Sequence, residues 1–129
     1  TSPAAWWMSV PIGLLIVNIL VVNNLRDIEA DKAVGKITTA VRMGVSATRK
    51  EYLLLLTASY LILPVLIAIK LIPLWALLVW LSIPFAKKVT ETIFDQLGHP
   101  LNQALAGTGK IALIYSLLFF AGLFLASYL

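Results

Sequence analysis

Four long stretches of this chain carry no charge. Residues 1–25, 52–69, 71–86 and 111–129 contain no Asp, Glu, Lys or Arg, giving runs of 25, 18, 16 and 19 residues in a chain of 129. A hydrocarbon layer about 30 Å thick takes ~20 apolar residues of α-helix to cross, so each run reads as a membrane span. The run 71–86 is short. It reaches both surfaces only if Lys70, Lys87 and Lys88 lay their stems along the apolar layer and hold their ammonium groups in water. A composition of 60% hydrophobic and 12% charged residues, with mean hydropathy +0.94, excludes an ordinary soluble domain. The runs are continuous and do not alternate as barrel strands do, which predicts an all-α polytopic membrane helix bundle. Its four transmembrane helices are expected over about 4–25, 52–70, 71–88 and 110–129.

The remaining charge is concentrated in two connections. Residues 26–51 hold six cations (Arg26, Lys32, Lys36, Arg42, Arg49, Lys50) and four acids (Asp27, Glu29, Asp31, Glu51); residues 87–110 hold Lys87, Lys88 and Lys110 against Glu91 and Asp95. Only Lys70 lies between the second and third spans, so nine cations fall on one side and one on the other. The positive-inside rule then predicts cytoplasmic loops 26–51 and 87–110, with both termini facing away. This arrangement accounts for the net charge of +4 without invoking nucleic acid. The absence of cysteine removes disulfides, thiol nucleophiles and iron–sulfur clusters, and a single histidine removes a His-rich metal site. The chain opens Thr1-Ser2-Pro3, with neither a starting methionine nor a charged region before the first apolar run, which predicts a piece of a longer protein.

Chemistry points to the first charged connection. No proline or glycine follows the first span until Gly35, so the helix is expected to run on past the membrane surface and stop there. On such a helix Asn23, Asp27 and Asp31 fall at i, i+4 and i+8 on one stripe, with Asn24 beside them. Stacked carboxylates repel unless a cation lies between them. Oxygen ligands of this kind suit Mg²⁺, which keeps several waters and shares its shell readily with phosphate. Glu29 points the other way and is expected to pair with Arg26 and Lys32. Arg26, Lys32, Lys36 and Arg42 are spaced through the same connection and could fold over an anion held by the metal. The same charges also suit a plain solvated loop, or a cation-binding segment of a non-catalytic membrane protein or transporter, and spacing alone does not decide between these.

The run Asn23-Asn24-Leu25-Arg26-Asp27, followed by Asp31, Gly35-Lys36 and Val41-Arg42-Met43-Gly44, closely resembles the second aspartate-rich motif of the UbiA superfamily of intramembrane prenyltransferases. It is most similar to the branch that prenylates 1,4-dihydroxy-2-naphthoate. Residues 101–109 carry a weaker second resemblance. The likeness implies the C-terminal part of a nine-helix bundle, with the first aspartate-rich motif in a missing N-terminal half. It further implies Mg²⁺ on Asp27 and Asp31, and diphosphate contacts from Asn23, Asn24, Arg26, Lys32, Lys36 and Arg42. The implied reaction is transfer of a polyprenyl or phytyl group from its diphosphate to the naphthoate with loss of CO₂, in a bacterial inner membrane or its equivalent. Other aromatic acceptors fit the same motif.

Several features have plainer readings. Asn18 lies off the acidic stripe and suits an interhelical hydrogen bond. His99 stands in a Gly98-His99-Pro100 turn. Gly107-Thr108-Gly109-Lys110-Ile111-Ala112 matches a dinucleotide fingerprint only nominally, since no strand precedes it. Trp6, Trp7 and Trp75 suit an interfacial belt, and Trp80, deeper in its span, suits packing.

Overall fold

A computed structural model describes residues 3–128; Thr1 and Ser2, on which the expectation of an internal start rests, lie outside the described residues, as does Leu129. The described residues are mostly helical, without a strand: α1 Pro3–Arg26, α2 Ile28–Ala33, α3 Thr39–Ala68, a 3-10 helix Leu74–Ser82, α4 Ile83–Asp95 and α5 Leu101–Tyr128. Three helices are long and apolar enough to cross a membrane, namely Ala5–Arg26, Thr39–Ala68 and Leu101–Tyr128. The chain is an integral membrane helix bundle.

The helices begin earlier than the charge pattern predicts. Thr39 opens α3 well before the expected span at 52, and Leu101 opens α5 before the expected span at 110. Loss of charge marks where a helix enters the bilayer, whereas the helix itself starts at the preceding turn. The expected third span, 71–88, needs a larger correction, because it is not one α-helix. Nine residues form the 3-10 helix, and α4 follows directly. At about 2.0 Å per residue instead of 1.5, those nine cover roughly 18 Å, which lengthens an apolar run that would otherwise be short. Pro84 gives a local reason for the tight winding at its end. It has no N–H to offer the Trp80 carbonyl, which instead accepts from Ile83 one residue earlier.

Proline removes an N–H donor and tends to break or kink a helix. Pro73 does stand just before the 3-10 helix and Pro84 just inside α4, but α1 and α3 continue through Pro11 and Pro64. At Pro64 the carbonyl left without its usual donor belongs to Tyr60, and the Trp80 indole N–H donates to it at 3.2 Å. The deeper tryptophan thus packs between two elements while repairing one of them.

α1 packs against both α3 and α5, and α5 also packs against the 3-10 helix and α4. Tyrosines connect α3 to α5 through the interior. Tyr52 bonds Thr108 at 2.9 Å, Tyr115 donates to the Ser59 carbonyl, and the Tyr60 and Tyr115 rings meet edge to face with centroids 5.4 Å apart. Asn18, fully buried, donates across to the Tyr52 carbonyl at 3.0 Å, the interhelical bond its position predicts. α5 approaches the 3-10 helix so closely at Gly122 that a Cβ there would lie 2.5 Å from the Trp75 carbonyl oxygen. The outward faces of the long helices, including Leu20, Leu54, Leu61, Leu117 and Phe120, remain exposed and apolar, as lipid or further helices require.

Candidate functional site

The two charged connections meet at one end of the bundle. α1 leaves its helical path at Asp27 (φ −98°, ψ 10°), yet the turn is bridged: the Asp27 N–H donates to the Asn23 carbonyl at 3.2 Å and the Asp31 N–H to the Asp27 carbonyl at 2.8 Å. The stripe of Asn23, Asp27 and Asp31 therefore survives with a step in it. The helical path stops at Gly35, as predicted. Its φ of 74° lets Gly35 and Lys36 turn back their N–H groups onto the carbonyls of Lys32 and Asp31, closing the helix end. Thr38 then caps α3, its hydroxyl accepting from the Val41 N–H at 3.1 Å. Gly44, at φ 86° and ψ 172°, breaks α3 where the sequence alone gave no sign of a bend. That conformation is essentially closed to residues with a Cβ, which explains the glycine in Val41-Arg42-Met43-Gly44.

Arg26 organises the site. Its Nε donates to one oxygen of Asp27 at 2.8 Å and its Nη2 to the other at 3.0 Å; Nη2 also donates to Asn23 Oδ1 at 2.8 Å and Nη1 to Asn102 Oδ1 at 3.0 Å. This is the one ion pair among the described residues. The expected pairing of Glu29 with Arg26 is not formed, because the guanidinium swings to the Asp27 side of the helix. The Arg26 hydrogen bonds hold the Asp27 carboxyl below the usual carboxylate range; partial burial opposes them, and the charges of Arg26, Lys36 and His99 add to the lowering.

The predicted residues do not all converge. Asn23, Arg26 and Asp27 are joined. Asp31 follows one turn on, partly exposed, and its carboxylate has no bonded partner among the described residues. Lys32, Lys36 and Arg42 are exposed, and among the described residues their side chains make no hydrogen bond or ion pair. Asn24 lines a different space, a cavity of about 150 Å³ shared with Thr39, Thr48 and Glu51 of α3. Two contributors escaped sequence reasoning: Asn102, whose only signal was the weak resemblance at 101–109, and His99, whose turn brings its charge within range of Asp27.

The donor set suits a hard divalent cation. Arg26 occupies one lone-pair site on each Asp27 oxygen and keeps the group ionised, leaving further acceptor capacity on both oxygens. Asp31 and the Asn23 carbonyl add oxygen, and no cysteine competes. Among the described residues no cluster of three or more His, Asp or Glu forms, so a cation held here would need to complete its shell from water, phosphate or groups outside this chain.

The profile of the UbiA prenyltransferase family matches residues 1–93. The 1,4-dihydroxy-2-naphthoate octaprenyltransferase of Escherichia coli (strain K12) is 34% identical over 117 residues, covering 90% of this chain and 38% of that protein. Proteins of the same name from Haemophilus influenzae and Mycobacterium tuberculosis are 36% and 34% identical, covering 86% and 84% of this chain and 36% and 37% of their own lengths. The chain thus spans a little over a third of the length of these relatives, and no solved structure matches it. Because the matched region takes in α1, α2, α3 and nearly all of α4, including Asn23, Arg26, Asp27 and Asp31, the chain belongs to the UbiA prenyltransferase family.

Proposed function

We propose that the protein containing this chain transfers a polyprenyl group, or a phytyl group, from its diphosphate to 1,4-dihydroxy-2-naphthoate with loss of the carboxylate as CO₂. The observation that carries this reading is the Asn23–Arg26–Asp27 cluster, with Asp31 one turn on, in a chain similar over nearly its whole length to naphthoate octaprenyltransferases.

Asp27 and Asp31 are the residues that would hold Mg²⁺, whose charge, when bound, offsets that growing on the leaving diphosphate. Arg26 keeps Asp27 ionised and oriented, while Asn23 shares its guanidinium. Lys32, Lys36 and Arg42, exposed on the same connection, are available to phosphate oxygens, whereas Asn24 lines a separate cavity with Thr39, Thr48 and Glu51. With the diphosphate so held, the allylic C–O bond ionises and the electron-rich acceptor ring attacks the prenyl carbon. A first aspartate-rich motif, in the part of the protein outside this chain, faces the second across the substrate cavity. Both charged connections lie on the cytoplasmic side of a bacterial inner membrane or its equivalent.

The test is product analysis by mass spectrometry with the full-length protein, given a prenyl diphosphate and, in parallel, 1,4-dihydroxy-2-naphthoate, homogentisate or 4-hydroxybenzoate, with and without a chelator. A decarboxylated prenylnaphthalene formed only with free Mg²⁺ is expected. Product from another acceptor alone would reassign the substrate, and activity undiminished by chelation would remove the metal.

A further inference from the structure

Arg26 has five N–H donors, and four are engaged within this chain: two on Asp27, one on Asn23 and one on Asn102. Three of these bonds are local, to residues within three positions of Arg26. The fourth crosses to another long helix. Asn102 stands 76 residues further on, in the first turn of α5, which is fixed by the fully buried Leu101 and by the Asn102 N–H donating to the His99 carbonyl at 2.9 Å. This contact ties the Arg26–Asp27 pair to the rest of the bundle.

We infer that Asn102 is a positioning residue for the diphosphate site: its Oδ1 fixes the Arg26 guanidinium and, through it, the carboxylate of Asp27. The inference rests on the proposed role of Asp27 as a metal ligand. It also extends the site beyond residues 1–93, the region that matches the family profile, onto the final helix. Outer partners of this kind orient a ligand without touching the metal, and their loss weakens metal binding more than it weakens the fold. Asn102 is exposed, so removing its amide leaves no cavity and no buried donor.

The test uses the full-length protein and an unreactive probe, a farnesyl thiolodiphosphate, without acceptor. The Mg²⁺ concentration giving half of the probe's thermal stabilisation is measured for wild type, Asn102→Leu and Asn102→Gln. Leu keeps nearly the same volume without an acceptor, whereas Gln retains the carbonyl. Asn102→Leu is expected to raise that Mg²⁺ concentration by roughly tenfold, Asn102→Gln by less than about threefold, with melting in the absence of probe close to wild type for both. An unchanged Mg²⁺ requirement in Asn102→Leu overturns the inference. So do equal shifts in the two variants, or a large loss of melting temperature without probe, which marks a purely structural tie. If wild type itself shows no Mg²⁺-dependent stabilisation, the diphosphate reading fails and takes the inference with it; if wild type responds and Asn102→Leu matches it, the inference alone fails.

Discussion

Arg26 and Arg49 stand at the same end of the bundle, and each ties one long helix to a distant segment, but they bond to different kinds of partner. Arg49 reaches from α3 to the end of α4, donating from Nε to the Ile93 carbonyl at 2.8 Å and from Nη2 to the Gln96 carbonyl at 2.9 Å. Carbonyls at a helix C-terminus lack intrahelical donors, so any stable fold must satisfy them somehow. Arg26 bonds only to side chains, Asn23, Asp27 and Asn102, none of which the backbone requires. On the proposed reading, the difference separates a contact that completes the architecture from one that would arrange chemistry.

The largest expected effect breaks the Arg26 side of this comparison. Asp27→Ala in the full-length protein should lower Mg²⁺-dependent prenyl transfer by roughly a hundredfold or more while leaving melting near that of wild type. Transfer at the wild-type rate would show that the cluster is not the metal site. Arg49→Ala should do the reverse. Losing two charge-assisted hydrogen bonds costs about 2 kcal/mol of stability, seen as a lower melting temperature in detergent, with turnover well below that temperature little changed. A loss of transfer without a loss of stability would erase the distinction.

An effect of similar size concerns the backbone that carries the loop between these two arginines. The space around Gly44 is open, so Gly44→Ala meets no clash, but φ 86° with ψ 172° strains any residue with a Cβ. A cost of about 1–3 kcal/mol is expected by thermal melting. An alanine variant as stable as wild type would mean that the bend relaxes without penalty.

How much of this was legible in the sequence varied with the range of the interaction. The helical class and the apolar spans followed from charge-free runs, because a bilayer imposes its thickness on composition. Gly35 was legible as a helix stop because its signal is local, and the stacking of Asn23, Asp27 and Asp31 followed from helical spacing. The 3-10 segment was not legible: Leu74–Ser82 is as apolar as its neighbours, and winding leaves no mark on hydropathy. Gly44 was visible only as part of a motif, since its open surroundings hold no neighbour that would betray the bend. Arg26 pairs with Asp27 and not Glu29, and it also bonds Asn102, 76 residues on, a partner that periodicity could not supply.

Acid gives the smallest effect and separates the two arginines by chemistry instead of by mutation. Asp27 has a lowered pKa in the folded protein, so folding favours its ionised form. The stability this supplies is complete above the ordinary carboxylate value of about 3.9 and is lost as pH falls through the lowered folded value; it contributes no slope between about pH 5 and 8. Because Asp27 and Arg26 are both partly exposed, solvent screening keeps the contribution below about 1 kcal/mol. Arg49 bonds to carbonyls, which do not titrate, so its tie persists through the same range. Melting temperatures of wild type, Asp27→Asn and Arg49→Ala between pH 7 and pH 3 should therefore show a slightly shallower acid limb in Asp27→Asn, and in Arg49→Ala a uniform lowering with the wild-type shape. An Asp27→Asn curve parallel to wild type at every pH would mean that the acid sensitivity arises elsewhere and that the Arg26–Asp27 pair does not stabilise the fold.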